Sequence, residues 1–184
     1  MYKKAVILVS GNGSNMESII KACNEKRLEL DITCVFSNKK DPPAFSKAQK
    51  YNINTEFLSS KIKVIEEKLV KYIDTNNIDL IILAGFMRVL TPEFTRRFRK
   101  KIINIHPSLL PLFPGLDAQR QAWDAGVENT GVTVHFVDEG VDTGEMILQK
   151  GFLIDRTKSF EKFKKDLLRL EHSTYIEALK IVEK

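Results

Sequence analysis

Apolar and polar residues alternate along this chain in short blocks that predict strands and helices in turn. The apolar runs that predict strands lie at 5–9, 32–36, 53–57, 80–84 and 102–105. Between them apolar residues recur at helical spacing, and helices are expected after residue 15, after Pro43 and over about 60–76. Strands that alternate with helices favour a parallel sheet with ligands at the carboxyl ends of its strands. The sequence therefore predicts a doubly wound α/β domain.

The pattern changes in the last third of the chain. Residues 131–137 alternate between apolar and polar, 138–144 are rich in turn formers, and 146–154 are again strand-like. A final amphipathic helix is expected over about 159–182. Its buried face would carry Phe160, Phe163, Leu167 and Leu170. We therefore expect a mostly parallel, Rossmann-like sheet with an antiparallel C-terminal edge and a long C-terminal helix.

Length and composition limit the class of protein to which this chain can belong. A chain of 184 residues with 43% hydrophobic residues can bury one core, so a single domain over 1–184 is expected. No run approaches the roughly 20 apolar residues that a membrane span needs. Because the first strand begins almost at once, we expect no leader and a cytoplasmic protein without membrane partners.

Charge and cysteine content exclude several kinds of site. The net charge of +5 suits an anionic small molecule such as a phosphate or a polycarboxylate. The densest basic run, at 96–101, contains one aromatic residue, so we expect a solvated helix end and no nucleic-acid partner. Cys23 and Cys34 lie in a helix pattern and a strand pattern, without a CxxC motif or clustered histidines. Neither a disulfide nor a metal site is expected.

A glycine-rich segment follows the first predicted strand. Its residues are Ser10, Gly11, Asn12, Gly13, Ser14 and Asn15. Backbone N–H groups at such a helix start can bind an anion. The Walker pattern is absent because no Lys-Ser or Lys-Thr pair follows, and the dinucleotide pattern fails because its third glycine would fall at Met16. Taken alone, the segment fits a tight turn that needs glycine as well as it fits a phosphate site.

A second polar motif ends the fifth predicted strand, where Asn104 and His106 are two residues apart. Strand alternation places both on the same side, so an amide and an imidazole can converge on one small volume. Pro107 and Pro111 then force the chain to turn. From this motif alone, His106 fits a catalytic role or a histidine that is satisfied by a backbone carbonyl.

The turn-rich segment 138–144 combines carboxylates with glycines. Calcium is one candidate ligand, but the segment lacks flanking helices and a glutamate at the twelfth position of an EF-hand loop. A carboxylate close to His106 would instead favour the charged imidazolium, which can act as an acid near neutral pH.

Four segments stand in the order seen in the folate-dependent formyltransferases, namely 11–15, 84–88, 104–111 and 142–144. The chain resembles that superfamily over nearly its whole length, and the Asn-x-His-Pro-Ser-Leu-Leu-Pro segment is specific to it. The glycine segment and Pro114-Gly115-Leu116 resemble the branch that acts on glycinamide ribonucleotide, or phosphoribosylglycinamide. The resemblance implies an enzyme of purine (IMP) biosynthesis that moves the formyl group of 10-formyltetrahydrofolate to the amine of this acceptor, without a metal.

The same resemblance implies roles for individual residues. Asn104, His106 and Asp142 would be catalytic. The acceptor would bind Gly11, Asn12, Gly13, Ser14, Asn15 and Glu171. The folate pocket would be formed by Met87, Arg88, Val89, Leu90, Val137, Asp138, Glu139, Gly140 and Val141. A phosphate-binding half at 1–105 would thus precede a folate-site and catalytic-loop half at 106–184.

The chain departs from the family pattern at a few positions. Members can carry an arginine near the folate around 60–64, where Lys61 and Lys63 are the nearest cations here. Asp117 and Gln119 occupy positions where some members have histidines. His135 lies on a strand alternation and fits either a partner of the catalytic residues or a structural histidine.

Other functions share part of this pattern. Formyltransferases that act on methionyl-tRNA or a sugar nucleotide have the same trio, but the tRNA enzymes resemble this core followed by a second domain. A formyltetrahydrofolate hydrolase resembles it preceded by a regulatory module. A phosphate-binding module would use the glycine segment without turnover. The preferred interpretation is a monomeric or homodimeric enzyme with two small-molecule substrates.

Overall fold

The computed structural model describes residues 3–183, whose strands form one seven-stranded sheet. The strands are β1 (Lys3–Val9), β2 (Leu30–Ser37), β3 (Asn54–Phe57), β4 (Leu80–Leu83), β5 (Ile102–His106), β6 (Asn129–Phe136) and β7 (Met146–Leu153). They stand in the order β3-β2-β1-β4-β5-β6-β7. The first five are parallel, whereas the β5–β6 and β6–β7 pairs are antiparallel. The predicted mostly parallel sheet with an antiparallel C-terminal edge is confirmed.

Helices cover both faces of this sheet. They are α1 (Ser14–Asn24), α2 (Pro43–Gln49), α3 (Ile62–Asn76), α4 (Pro92–Arg97), α5 (Ala118–Asp124) and α6 (Phe160–Val182). The apolar pattern did not predict α5, which has 7 residues, and of α4, which has 6, only the basic end at 96–101 was expected. Helix α2 is as short as α5, but Pro43 at its start and apolar residues at helical spacing marked it. No helix among the residues described is long and apolar enough to cross a membrane.

Strand β1 shows how one sheet supports two hydrophobic cores. Val6 and Leu8 point to one face and pack with α3, while Ile7 and Val9 point to the other and pack with α1 and α6. This split follows from the period of two along a strand. All five residues from Ala5 to Val9 are fully buried, as expected for a central strand covered on both faces.

The C-terminal helix α6 is anchored beside the carboxyl ends of β4 and β5. Of its predicted apolar face, Phe163 and Leu167 are buried. The hydroxyl of Tyr175 lies 2.9 Å from the carbonyl oxygen of Leu83 and 3.0 Å from that of Ile103. Complete burial raises the pKa of Tyr175 well above its usual value, so the hydroxyl stays a donor. These contacts hold α6 against the strand ends where Asn104 and His106 lie.

Candidate active site

A cavity of about 1000 Å³ opens at the carboxyl ends of β1, β4 and β5, and we call it the central cavity. Open α/β sheets bind their ligands at this edge. The predicted site residues that line it are Gly11, Asn12, Gly13, Ser14, Asn15, Met87, Arg88, Val89, Asn104, His106, Val141, Asp142 and Glu171. Residues predicted from separate parts of the sequence therefore face one cavity.

The glycine loop, residues 11–15, joins β1 to α1 and forms one wall of the central cavity. Gly13 precedes α1 with φ of 70°, in the left-handed region that glycine adopts without strain. A Cβ atom at Gly13 would lie 2.6 Å from the Cβ atom of Ala44, so a side chain does not fit. The N–H groups in the first turn of α1 have no partner within the helix and can meet an anion. The tight turn that needs glycine is therefore present, and phosphate binding by the loop stays a prediction.

Ser10 fixes the start of this loop to two neighbouring strand ends. Its hydroxyl donates to Oδ1 of Asn38, just after β2, at 2.6 Å. The same oxygen accepts a hydrogen bond of 2.7 Å from the backbone N–H of Met87, just after β4. The exits of β1, β2 and β4 are therefore tied together at the cavity wall.

Glu171 of α6 is the buried acid of the central cavity, with 6% of its surface exposed. Its Oε2 atom accepts a hydrogen bond of 2.9 Å from the side-chain amide of Asn15, and its Oε1 atom accepts one of 3.1 Å from that of Gln119. Burial raises the pKa of Glu171 above its ordinary value, and the bonds from Asn15 and Gln119 oppose that rise. Three helices thus meet at one carboxylate.

The predicted catalytic trio comes together at the junction of the parallel and antiparallel parts of the sheet. His106 lies at the end of β5, and its Nδ1 atom is 3.3 Å from Oδ2 of Asp142. Its Nε2 atom is 2.8 Å from the carbonyl oxygen of Phe113. Because a carboxylate and a carbonyl only accept, an imidazolium with two N–H donors satisfies both contacts. His106 therefore contacts both a backbone carbonyl, as one of the two interpretations expected, and a carboxylate, and its catalytic role stays a prediction.

His135 completes this cluster from the neighbouring strand β6, where it pairs in register with Asn104. Its Nε2 atom lies 3.4 Å from Nδ2 of Asn104 and 3.6 Å from Oδ1 of Asp142. The Nδ1 atom lies 2.8 Å from the carbonyl oxygen of Phe136, to which it donates. His135 is thus a partner of the predicted trio, one of the two interpretations that the sequence left open.

Asp142 is held in place by contacts from three directions. Besides the two imidazoles, the backbone N–H of Gly115 donates to its Oδ2 atom at 2.9 Å. Burial by itself raises the pKa of Asp142, but hydrogen bonds from His135 and Gly115 and the nearby imidazole charges lower it below its usual value. Asp142 is therefore an ionised partner for His106 at neutral pH.

Some residues predicted for the folate pocket lie behind the cavity wall. Leu90 and Val137 pack into the core on the α3 face. Asp138 accepts hydrogen bonds from the backbone N–H of Gly140 and the hydroxyl of Thr143, and Glu139 pairs with Arg96. Their direct contact with folate stays a prediction, and here they shape the turn before Asp142.

Sequence reasoning missed several other residues that line the cavity. They are Lys39, Ala118, Glu161, Lys164, Lys165 and Leu168, whereas Leu116, Asp117 and Gln119 were named through the resemblance but given no role. The spacing of 161, 164, 168 and 171 along α6 could have revealed one helix face beside Glu171. No pattern marked Lys39 or α5. Lys61 and Lys63, the candidates for a folate-site cation, are exposed and do not line the cavity.

Metal ligation finds no support in the geometry of residues 3–183. No group of three or more His, Cys, Asp or Glu side chains is arranged to hold a metal ion there. Cys34 is buried and Cys23 half-buried, both as free thiols. Burial raises the pKa of Cys34 to about 12 and that of Cys23 to about 11.

Comparisons with known proteins find relatives that are similar to this chain over most of its length. A family model described as "Formyl transferase" matches residues 3–179. A phosphoribosylglycinamide formyltransferase of Bacillus subtilis is 36% identical, covering 97% of this chain and 93% of the relative. An enzyme of the same name from Haemophilus influenzae is 39% identical, covering 94% and 84%.

Solved structures that are similar to this chain carry related names. Glycinamide ribonucleotide transformylase 1 from Geobacillus kaustophilus superposes with a TM-score of 0.95 at 33% identity, covering 100% of both chains. The protein of that name from Symbiobacterium toebii gives a TM-score of 0.93 at 33% identity, covering 99% of this chain and 88% of that one.

Proposed function

Because this chain belongs to the formyl transferase family, we propose that it transfers the formyl group of 10-formyltetrahydrofolate to the amine of phosphoribosylglycinamide. The products are formylglycinamide ribonucleotide and tetrahydrofolate, in a step of purine biosynthesis. One observation carries the proposal: the central cavity joins a glycine loop suited to a phosphate with an imidazole–carboxylate pair suited to proton transfer. A single cavity of this size can hold two small substrates side by side.

The acceptor is proposed to bind between the glycine loop and α6. Its phosphate would meet the N–H groups at the start of α1, where the helix dipole favours negative charge. Glu171, held by two amides, would accept hydrogen bonds from the ribose hydroxyls. The glycinamide amine would then point to the trio at the end of β5.

The formyl donor is proposed to bind against exposed apolar side chains at the cavity mouth. Met87, Val89 and Val141 are 64%, 70% and 53% exposed, which is unusual for such residues unless a ligand covers them. The aromatic ring system of a folate offers the apolar surface to do so. Arg88 on the same segment supplies a cation for the carboxylates of the glutamate tail.

Attack of the amine on the formyl carbon produces a tetrahedral intermediate with a negative oxygen. The amide of Asn104 and the charged imidazole of His106 are proposed to donate hydrogen bonds to this oxygen, a contribution of roughly 3 to 4 kcal/mol per donor. The Nε2 atom of His106 already donates to the carbonyl of Phe113. To bind the oxyanion, Nε2 must therefore give up its hydrogen bond to the Phe113 carbonyl. The oxyanion then takes the place of that carbonyl as the acceptor.

The proton leaves the attacking amine as its new C–N bond forms, and it ends on N10 of the folate as the old C–N10 bond breaks. Asp142 is proposed to keep His106 charged and to assist this transfer through a water molecule. No covalent enzyme intermediate is required. Holding both substrates in register removes much of the entropic barrier to a reaction between two molecules.

The test is absorbance-monitored transfer from 10-formyl-5,8-dideazafolate, a folate analogue, to phosphoribosylglycinamide. Methionyl-tRNA, a UDP-aminosugar and water serve as competing acceptors. His106→Ala should lower turnover at least about a hundredfold, the scale for an acid that also binds the oxyanion. His172→Gln is the matched control, since His172 lies outside the cavity lining. Preferred turnover with another acceptor, or near-normal turnover of His106→Ala, would overturn the proposal.

A further inference from the structure

Gln119, which the sequence marked only as a departure from the family pattern, lies in the first turn of α5 and lines the central cavity. Its side-chain amide is the only contact between α5 and Glu171 among the hydrogen bonds of residues 3–183. Asn15 contacts the other carboxylate oxygen. Each oxygen of Glu171 thus has one fixed donor and keeps lone pairs for a ligand, because an ionised carboxylate accepts about four hydrogen bonds.

The segment 113–119 leads into α5 and contacts the other ionisable groups of the cavity as well. The carbonyl of Phe113 accepts from His106, and the N–H of Gly115 donates to Asp142. Phe113, Gly115 and Asp117 all have φ between 53° and 79°, which turns the segment sharply around the cavity wall. Gln119 is therefore the end of a segment that touches both the catalytic cluster and the buried acid.

Burial and hydrogen bonds act on Glu171 in opposite directions. Burial raises its pKa, and only the amides of Asn15 and Gln119 lower it. The charged or titratable side chains nearby are those that line the cavity, Lys39, Arg88, His106, Asp117, Asp142, Glu161, Lys164 and Lys165, together with His172 on α6 and Glu17 on α1. None of them contributes to the shift of Glu171. Removing either amide should therefore raise the pKa of Glu171 further, because less opposes the effect of burial.

We propose that Gln119 is a positioning residue for the acceptor substrate, which holds the Glu171 carboxylate as a fixed hydrogen-bond acceptor for the hydroxyl groups of a ribose phosphate. This inference rests on the proposed function for the identity of the acceptor. Gln119 does not touch the reacting atoms, so it acts on acceptor binding and not on the chemical step. Its effect also depends on pH, because a protonated Glu171 cannot accept in the same way.

The first variant is Gln119→Met, which keeps the length of the side chain and removes the donor. Its KM for phosphoribosylglycinamide should rise about tenfold, the scale for one hydrogen bond to a charged group. The rise should grow as the pH is lowered and Glu171 becomes protonated, while kcat and the KM for the folate analogue change less than about threefold. A structural role for Gln119 would not produce this pH dependence.

The second variant is Gln119→Glu, which reverses the expected pH dependence. Two facing carboxylates share one proton at low pH, and the protonated one then donates to the other. The KM for the acceptor should therefore approach the wild-type value at low pH and rise as the pH increases. Gln121→Met is the matched control on α5, because its amide donates only to the carbonyls of Pro114 and Leu116. It should show no pH-dependent change in KM.

Calorimetric titration with ribose 5-phosphate separates this inference from the proposed function. Both Gln119 variants should weaken its binding with the same pH dependence as the KM, whichever acceptor the enzyme uses. Wild-type binding of ribose 5-phosphate by Gln119→Met at every pH would overturn the inference, even if formyl transfer to phosphoribosylglycinamide is intact. Absence of that transfer in the wild type would overturn the proposed function, and the titration would still decide the role of Gln119.

Discussion

The glycine loop and the cluster around His106 form two parts of the same cavity but are built from different kinds of groups. Residues 11–15 contain no ionisable side chain, and their conformation depends on the backbone of Gly13. His106, His135 and Asp142 are ionisable and largely buried, and both imidazoles contact Asp142.

The difference fits the role that is proposed for each part. A phosphate keeps its negative charge at neutral pH, so it is best held by backbone N–H groups whose charge distribution does not change. Formyl transfer moves a proton, so it needs groups that gain and lose one near neutral pH. Binding and chemistry should therefore respond to different substitutions, and the predictions below test that separation.

The largest expected effect comes from Asp142→Asn, which keeps the shape of the side chain and removes its charge. We expect kcat to fall at least about a hundredfold while the KM for the acceptor changes less than about threefold. Steady-state kinetics at saturating folate analogue measures both values. Asp74→Asn, an exposed aspartate paired with Arg97, is the control. A normal kcat with a raised acceptor KM would show that the two parts of the cavity are not separate.

The next effect is expected from Gly13→Ala, which changes the loop alone. Its Cβ atom would meet the Cβ atom of Ala44 at 2.6 Å in a left-handed backbone conformation. Strain and overpacking together should lower the free energy of unfolding by about 2 to 4 kcal/mol. The acceptor KM should rise and kcat should change little. Gly151→Ala adds a methyl group in open space, so thermal unfolding should distinguish the two variants.

The smallest effect concerns acid stability. Asp142 has a pKa below its usual value in the folded protein, so its contribution to stability is present above the unfolded pKa of about 4. That contribution is lost as the pH falls through the lower, folded pKa. The stability difference between wild type and Asp142→Asn should therefore shrink as the pH falls below about 4. The difference for Gly13→Ala should stay constant in the same denaturant titrations.

Much of the fold follows from the sequence because its buried strands are continuous apolar runs. The apolar run at 80–83 is of strand length and predicts a strand that is covered on both faces. The body of α4 and all of α5 were missed because a local cap stabilises α4 and a packing contact stabilises α5. The hydroxyl of Thr91 caps α4 by accepting from the N–H of Phe94, and Arg120 of α5 stacks over the ring of Phe160 at 3.9 Å. Neither contact leaves a periodic pattern.

The candidate site was predictable where it depends on strand ends and was not where it depends on the path of a loop. Alternation along β5 placed Asn104 and His106 in one cavity. The contact of the Phe113 carbonyl with His106 and that of Gln119 with Glu171 depend on three residues with positive φ. One of these, Phe113, is a residue type that gives little sign of that conformation.

The contacts of Tyr175 also set an order of events while the chain is being made. Ile103, whose carbonyl oxygen meets the Tyr175 hydroxyl, lies 72 residues earlier in the sequence. At a synthesis rate of about 5 to 20 residues per second, these residues emerge about 4 to 14 seconds apart. Asn104 and His106 are therefore synthesised well before the helix that supports their strand. A nascent chain contains these two proposed catalytic residues early, and the structure around them is complete only when its last helix docks.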